Sequence, residues 1–271
     1  MISMKKILYI TIIIIIIIII LTILFIKKDN NIIINYNPFK DYPFYKEALL
    51  NRYYKYQKIN NTNDKDTIIR VNMSLDKPFY TDTKKITNPD SYTVLVNKYR
   101  YLDKNYIPKD LIEIHKYSKG GIKLRKIVYD QFVEMANDAK KEDLNIRIIS
   151  AYRPYEYQEN LYNNYLKKDS KENVDTYSAR SGYSEHQTGL SIDIDNIYTD
   201  YNKFHITLEY KWMMDNAYKY GFILRYPENK ENITGFKYES WHYRYVGANI
   251  ATYIHNHNIT FDEYYYEFLD K

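Results

Sequence analysis

The chain has no cysteine in its 271 residues. A disulfide framework, a thiolate metal site, a cysteine nucleophile and a lipid-modified N-terminal cysteine are therefore excluded. It also lacks the βαβ series with glycine-rich phosphate loops that a nucleotide-binding fold requires. No Ser-x-x-Lys motif stands with its two partner motifs, which argues against a penicillin-binding-type serine peptidase. No internal repeat is apparent, so a solenoid is not expected. A basic surface is missing as well. The formal net charge is +5, but residues 1–28 hold four lysines and no acidic residue. Setting those four aside from the 39 basic residues leaves 35 against 34 acidic ones, so nothing supports nucleic-acid binding.

What is present begins with an apolar run. Residues 7–26 are interrupted only by Tyr9, Thr11 and Thr22, and Lys5-Lys6 and Lys27-Lys28 bracket them. As a helix such a run spans about 30 Å, the thickness of a hydrocarbon core. The run is longer than a signal-peptide core and has no small-residue cleavage site, so an uncleaved N-terminal transmembrane helix over residues 1–28 is expected. Lysines at both ends leave the orientation undecided by charge. Residues 29–65 read as a polar tether with one short helix near 43–58, and residues 66–271 as the folded domain. Tyrosine reaches 34 residues, which we read as biased usage and not as a carbohydrate-binding surface.

Within the domain, residues 68–72 and 92–96 are β-prone runs. Leu124, Ile127, Val128, Phe132, Met135 and Ala139 follow three- and four-residue steps, predicting an amphipathic helix over 122–141. A strand is expected over 145–151, a helix over 155–168 after Pro154, and a flanking loop over 169–180. Residues 190–194 alternate apolar with polar as a short strand does, with Ser191 and Asp193 on one face. A helix over 207–220 has Thr207 as its N-cap and Gly221 as its end. Extended runs at 222–225 and 238–246, a helix at 247–256 and a capping box at Thr260-x-x-Glu263 complete the pattern. The expected architecture is α+β: a small antiparallel sheet with helices packed on it.

The chemistry concentrates in Ser184-Glu-His-Gln-Thr-Gly-Leu-Ser-Ile-Asp193 and Glu239-Ser-Trp-His242. Two histidines and one carboxylate are a common ligand set for a catalytic zinc, and a further carboxylate serves as general base. This points to His186, Asp193 and His242 as ligands of Zn²⁺ and Glu239 as the base. Taken singly, each histidine has the alternative of a structural role. Gly189 permits a turn that returns His186 over Asp193. Glu239 and His242 lie three apart, so strict strand alternation would separate them and a kink near Ser240 is required. Asp195 shares the face of Asp193 and is a candidate to orient a ligand histidine. His115, His205, His255 and His257 are left outside the site.

Ser-x-His-x-x-Gly-x-x-x-Asp followed by Glu-x-Trp-His resembles the VanY-type D-alanyl-D-alanine carboxypeptidases, zinc peptidases of the bacterial cell wall. Ser150-Ala-Tyr-Arg-Pro154, Gln158, Gly221-Phe-Ile-Leu-Arg-Tyr-Pro227, Thr234-Gly235 and Trp241-His-Tyr-Arg-Tyr-Val-Gly247 extend the resemblance over roughly residues 90–250. It implies removal of the terminal D-alanine from the stem pentapeptide of peptidoglycan, in a zinc cleft outside the membrane. It also implies that Arg153 stabilises the oxyanion and that Gln158 contacts substrate. Ser184 is a candidate either to bind substrate or to tie down the ligand loop. An L,D-carboxypeptidase, a D,D-dipeptidase and a non-catalytic, membrane-tethered wall-binding module are the alternatives.

Overall fold

The computed structural model describes residue 6, residues 12–23 and residues 36–270. Residues 12–23 are helical (α1). No helix among the described residues is long and apolar enough to cross a membrane, and the span expected at 7–26 lies partly outside them. The chain divides into two compact units, Met1–Tyr45 and Lys46–Lys271. In the first, residues 36–45 form turns in which Asn37 Nδ2 donates to Tyr45 Oη at 2.8 Å.

The second unit opens with helices α2 (Leu50–Asn60) and α3 (Asp64–Asn72). Residues 46–60, expected as the end of a tether, belong to this folded unit. Tyr53 is fully buried and its hydroxyl donates to Asn72 Oδ1 at 2.7 Å. The strand expected at 68–72 is instead the end of α3. Asn63 caps that helix by accepting from Asp66 N at 2.8 Å, and Ile68, Ile69 and Val71 are buried by it. Capping and burial outweigh the intrinsic β preference of a branched run.

A short parallel pair, β1 (Lys84–Lys85) and β2 (Arg100–Tyr101), precedes an antiparallel hairpin of β3 (Leu111–Ile114) and β4 (Ile122–Arg125). The run at 92–96 forms no strand. Its carbonyls at Tyr92 and Val94 accept from Arg244 Nη2 instead of from a neighbouring strand. The helix expected from residue 122 starts at Lys126, because Ile122–Arg125 is taken by β4; α4 then runs Lys126–Lys141.

The main sheet has the order β5 (Arg147–Ser150), β6 (Ser191–Asp195), β8 (His242–Tyr245), β7 (Phe222–Leu224), with every neighbour antiparallel. Ile192 and Ile194 on β6, with Leu190 before it, are fully buried in the same cluster as Val128, Phe132 and Met135 of α4. Each such side chain contributes about 1.5–3 kcal/mol by leaving water. The opposite face of the sheet is left for chemistry. Helices α5 (Tyr155–Leu166), α6 (Lys171–Val174), α7 (Leu208–Asn216), α8 (Glu231–Thr234), α9 (Ala248–His257) and α10 (Phe261–Phe268) fill the connections and the C-terminal end. Thr207 and Thr260 act as the N-caps expected of them, and Thr260 with Glu263 forms the capping box. The observed class is α+β, as the periodicities imply.

Candidate active site

Two local turns bring the site together. Ser184 caps a 3₁₀ turn, Glu185–Thr188, its Oγ accepting from His186 N at 3.4 Å. Gly189 then takes a left-handed conformation at φ 63°, and a Cβ there would lie 2.9 Å from both Arg125 Cγ and Leu111 Cδ2. The chain reverses into β6, and His186 is carried back over Asp193. On the other arm, His242 N donates to Glu239 O at 3.2 Å and Glu239 N donates to Tyr226 O at 3.1 Å. The kink required near Ser240 is therefore a tight turn over 239–242 that precedes β8. Strand alternation never applies to Glu239, so it and His242 reach one cleft. The register then pairs Asp193 directly with His242.

Asp193 Oδ1 lies 3.3 Å from His186 Nε2 and 3.1 Å from His242 Nδ1. One ligand atom from each of these three buried residues lies within 4.8 Å of the others, a spacing that could hold a metal ion. The imidazole rings meet edge to face at 4.9 Å. His186 Nδ1 is 2.6 Å from the carbonyl of Ala151, which assigns the proton to Nδ1 and leaves a lone pair on Nε2. That nitrogen is buried and has no hydrogen-bond partner. A bound cation between that lone pair and the ionised carboxylate would satisfy both.

The same neighbours set the charge states of the metal-free site. Burial, together with Arg153, lowers the His186 pKa to about 4. Burial opposes ionisation of Asp193, but His186, His242 and Arg153 hold its carboxyl well below the usual carboxylate range. Burial alone would lower His242; its bonds toward Asp193 and Glu185 raise it to about 9. Burial pushes the Glu239 carboxyl up to about 7. Glu239 Oε2 lies 3.7 Å from His242 Nδ1.

Arg153 follows β5 and places Nη2 3.5 Å from Asp193 Oδ2, while its Nε is buried without a partner. Arg153, Gln158, Ser184, His186, Asp193, Glu239 and His242 all line one cleft of about 500 Å³. The Gln158 amide donates to Ala179 O at 2.7 Å, leaving Oε1 unpartnered. Of the two roles open to Ser184, the bond to His186 N is that of tying down the ligand loop. Trp241 walls the cleft beside Tyr201, their rings 5.1 Å apart. Asp195, by contrast, is bound by Arg147 at 2.7 Å. His255 stacks on Tyr218 and His257 on Tyr253.

Residue reasoning missed Glu185. Its side chain is fully buried and accepts from Arg225 Nε and Arg244 Nη1, each at 2.8 Å. Burial would raise its pKa, and these two arginines force it far below the ordinary value. Its Oε2 lies 3.8 Å from His242 Nε2, the nitrogen turned away from Asp193. Arginines inside the apolar runs 222–225 and 243–246 were the available signal, since a buried guanidinium needs a carboxylate.

Two imidazoles and two carboxylates converging in one cleft define a hydrolase-type centre able to hold a metal ion. Comparison with known proteins gives the family. A family model described as VanY, D-alanyl-D-alanine carboxypeptidase, matches residues 121–248. The chain is 38% identical over 206 residues to the putative carboxypeptidase YodJ of Bacillus subtilis (strain 168), covering 71% of this chain and 76% of that one. It is 33% identical to the bifunctional D-Ala-D-Ala dipeptidase and D-Ala-D-Ala carboxypeptidase VanXYC of Enterococcus gallinarum, covering 63% and 92%. The LdcB LD-carboxypeptidase structure superposes with a TM-score of 0.65 at 37% identity, over 69% of this chain and 91% of that one. A mutant of the vancomycin resistance D,D-pentapeptidase VanY, solved in complex with Zn(II), gives 0.56 at 29%, over 64% and 98%. The chain belongs to the VanY family of peptidoglycan carboxypeptidases.

Proposed function

We propose that this protein is a zinc-dependent D-alanyl-D-alanine carboxypeptidase that removes the terminal D-alanine from peptidoglycan stem pentapeptides. The observation that carries this reading is the unpartnered Nε2 of buried His186 facing the carboxylate of Asp193, with Glu239 beside them in the same cleft. His186 Nε2, Asp193 Oδ1 and His242 Nδ1 fit zinc, which favours imidazole and carboxylate ligands. When bound there, zinc supplies Lewis-acid polarisation and lowers the pKa of water.

The chain's own residues do the rest. The Glu239 carboxylate takes the proton of the attacking water and returns it to the amine nitrogen as the C–N bond breaks. The Arg153 guanidinium donates toward the oxygen that becomes negative. Gln158 and Ser184 line the cleft where the peptide would lie, and Ser184 also holds the ligand loop in place. The apolar run at residues 7–26 supports a membrane-anchored placement with the catalytic unit on the outer side, where peptidoglycan lies. Protease shaving of intact cells, expected to release residues 46–271, checks that placement.

The LdcB likeness, at 37% identity against 29% for VanY, favours a second specificity on the same mechanism: L,D-cleavage of the tetrapeptide. Mass spectrometry of defined muropeptides after incubation with zinc-loaded protein separates the two. Loss of one alanine from the pentapeptide alone is the expected result. Cleavage of the tetrapeptide alone moves the specificity to L,D, and turnover of free D-Ala-D-Ala marks a dipeptidase. No cleavage of any substrate by protein with bound zinc contradicts the peptidase reading and leaves a wall-binding module.

A further inference from the structure

The chain extends on both sides of the segment matched by the family model, residues 121–248. We infer that the C-terminal helix α10 positions the metal-site histidine His242, acting through Asp262, Arg225 and Glu185. This rests on the zinc reading above.

Asp262 lies in the first turn of α10 and is 1% exposed. Its two oxygens are divided. Oδ1 accepts from Asn97 Nδ2 at 2.8 Å, and Oδ2 accepts from Arg225 Nη1 at 2.6 Å. Arg225 turns its Nε to Glu185 Oε1 at 2.8 Å, the oxygen that Arg244 Nη1 also reaches. This fixes the plane of the Glu185 carboxylate. Its second oxygen accepts from Ser191 Oγ at 3.2 Å and faces His242 Nε2.

A histidine that offers Nδ1 to a metal must keep its proton on Nε2, and the group facing Nε2 sets the ring's orientation and basicity. Glu185 is that group. Within this buried cluster two carboxylates balance two guanidinium groups. If the Asp262 charge is removed, Arg225 keeps one carboxylate in place of two and draws Glu185 toward itself, away from His242. Asp262 and Glu185 are thus positioning residues. Neither touches the ligand atoms of the centre.

The test is a zinc titration of the full chain against a competing chelator, comparing wild type with four variants. Glu185→Gln is expected to weaken zinc binding about 10- to 100-fold, the range for a lost partner of a ligand histidine. Asp262→Asn is expected to weaken it by about 10-fold at most, one link further out. The double variant should bind no more weakly than Glu185→Gln alone, since both act on one relay. Glu263→Ala breaks the capping box of the same helix without touching Arg225 and should leave zinc affinity unchanged. In the zinc-loaded protein, the downfield proton resonance of His242 Nε2–H should move in Glu185→Gln and in Asp262→Asn, but not in Glu263→Ala. If Asp262→Asn fails to fold, Asn97→Ala probes the same relay from one bond further, with a smaller loss expected. Unchanged affinity in the relay variants, additive losses in the double variant, or an equal loss in Glu263→Ala would overturn the inference. A wild-type protein that binds no zinc would bring down the zinc reading itself, visible before any variant is compared.

Discussion

Two buried ionic clusters share His242 and are built to opposite specifications. On the inner side, Glu185, Arg225, Arg244 and Asp262 are at most 1–2% exposed in their side chains, and each carboxylate oxygen has a donor or a facing N–H group. On the cleft side, His186, Asp193, Glu239 and His242 lie in a chain of close contacts, and His186 Nε2 has no hydrogen-bond partner. A buried polar group left unpaired costs free energy that selection for stability alone would remove. Every carboxylate oxygen of the inner cluster has a protein donor, whereas the outer cluster leaves His186 Nε2 open to a ligand. The difference suits the inner cluster to holding the fold and the outer one to the chemistry proposed above, although both consist of the same residue types.

Substitutions break this comparison in graded ways. The largest effect is expected from Glu239→Gln. It keeps the shape of the side chain but removes the proton acceptor, so turnover should fall about 10²- to 10⁴-fold while zinc stays bound. Steady-state kinetics together with metal analysis checks both halves. Next is Arg225→Met, which strands Glu185 and Asp262 without their shared guanidinium. Breaking a buried pair from one side costs about 3–5 kcal/mol, to be read as a lower denaturant midpoint at an unchanged m-value. Arg153→Ala should reduce kcat about 10²- to 10³-fold, the range for loss of one oxyanion donor, with a far smaller change in denaturant midpoint than Arg225→Met.

The smallest effect is a pair of opposite pH slopes in the metal-stripped protein. Burial raises the Glu239 carboxyl to about 7. Its contribution to stability is therefore present at pH values below the ordinary carboxylate pKa and is lost as pH rises through about 7. Glu185, depressed by Arg225 and Arg244 against its burial, contributes stability that is present above the ordinary pKa and lost as pH falls. Denaturant midpoints measured across pH should show Glu239→Gln removing the neutral-side decline and Glu185→Gln removing an acid-side one.

Much of the outer cluster was legible in the sequence, because a ligand set spaced along one turn and one strand leaves a local pattern. The strand at 190–194 and the turn at Gly189 carry His186 and Asp193 together in eight residues of chain. The kink near Ser240 followed from the three-residue spacing of Glu239 and His242. The inner cluster was not legible. Its members come from the 3₁₀ turn, β8, the segment after β7 and α10, and pairing between such distant stretches is set by tertiary packing. The same reason explains α3, where Ile68 and Val71 find a helical core, and residues 92–96, whose carbonyls go to Arg244. Local propensity loses wherever a distant partner satisfies the backbone better.

The most direct test of the central claim is the zinc stoichiometry of the purified full chain after dialysis, measured in wild type, His186→Ala and Glu185→Gln. The account predicts one zinc per wild-type chain, none in His186→Ala, and zinc retained at saturating metal but with reduced affinity in Glu185→Gln. Zinc absent from the wild type, or bound equally well in His186→Ala, would contradict it.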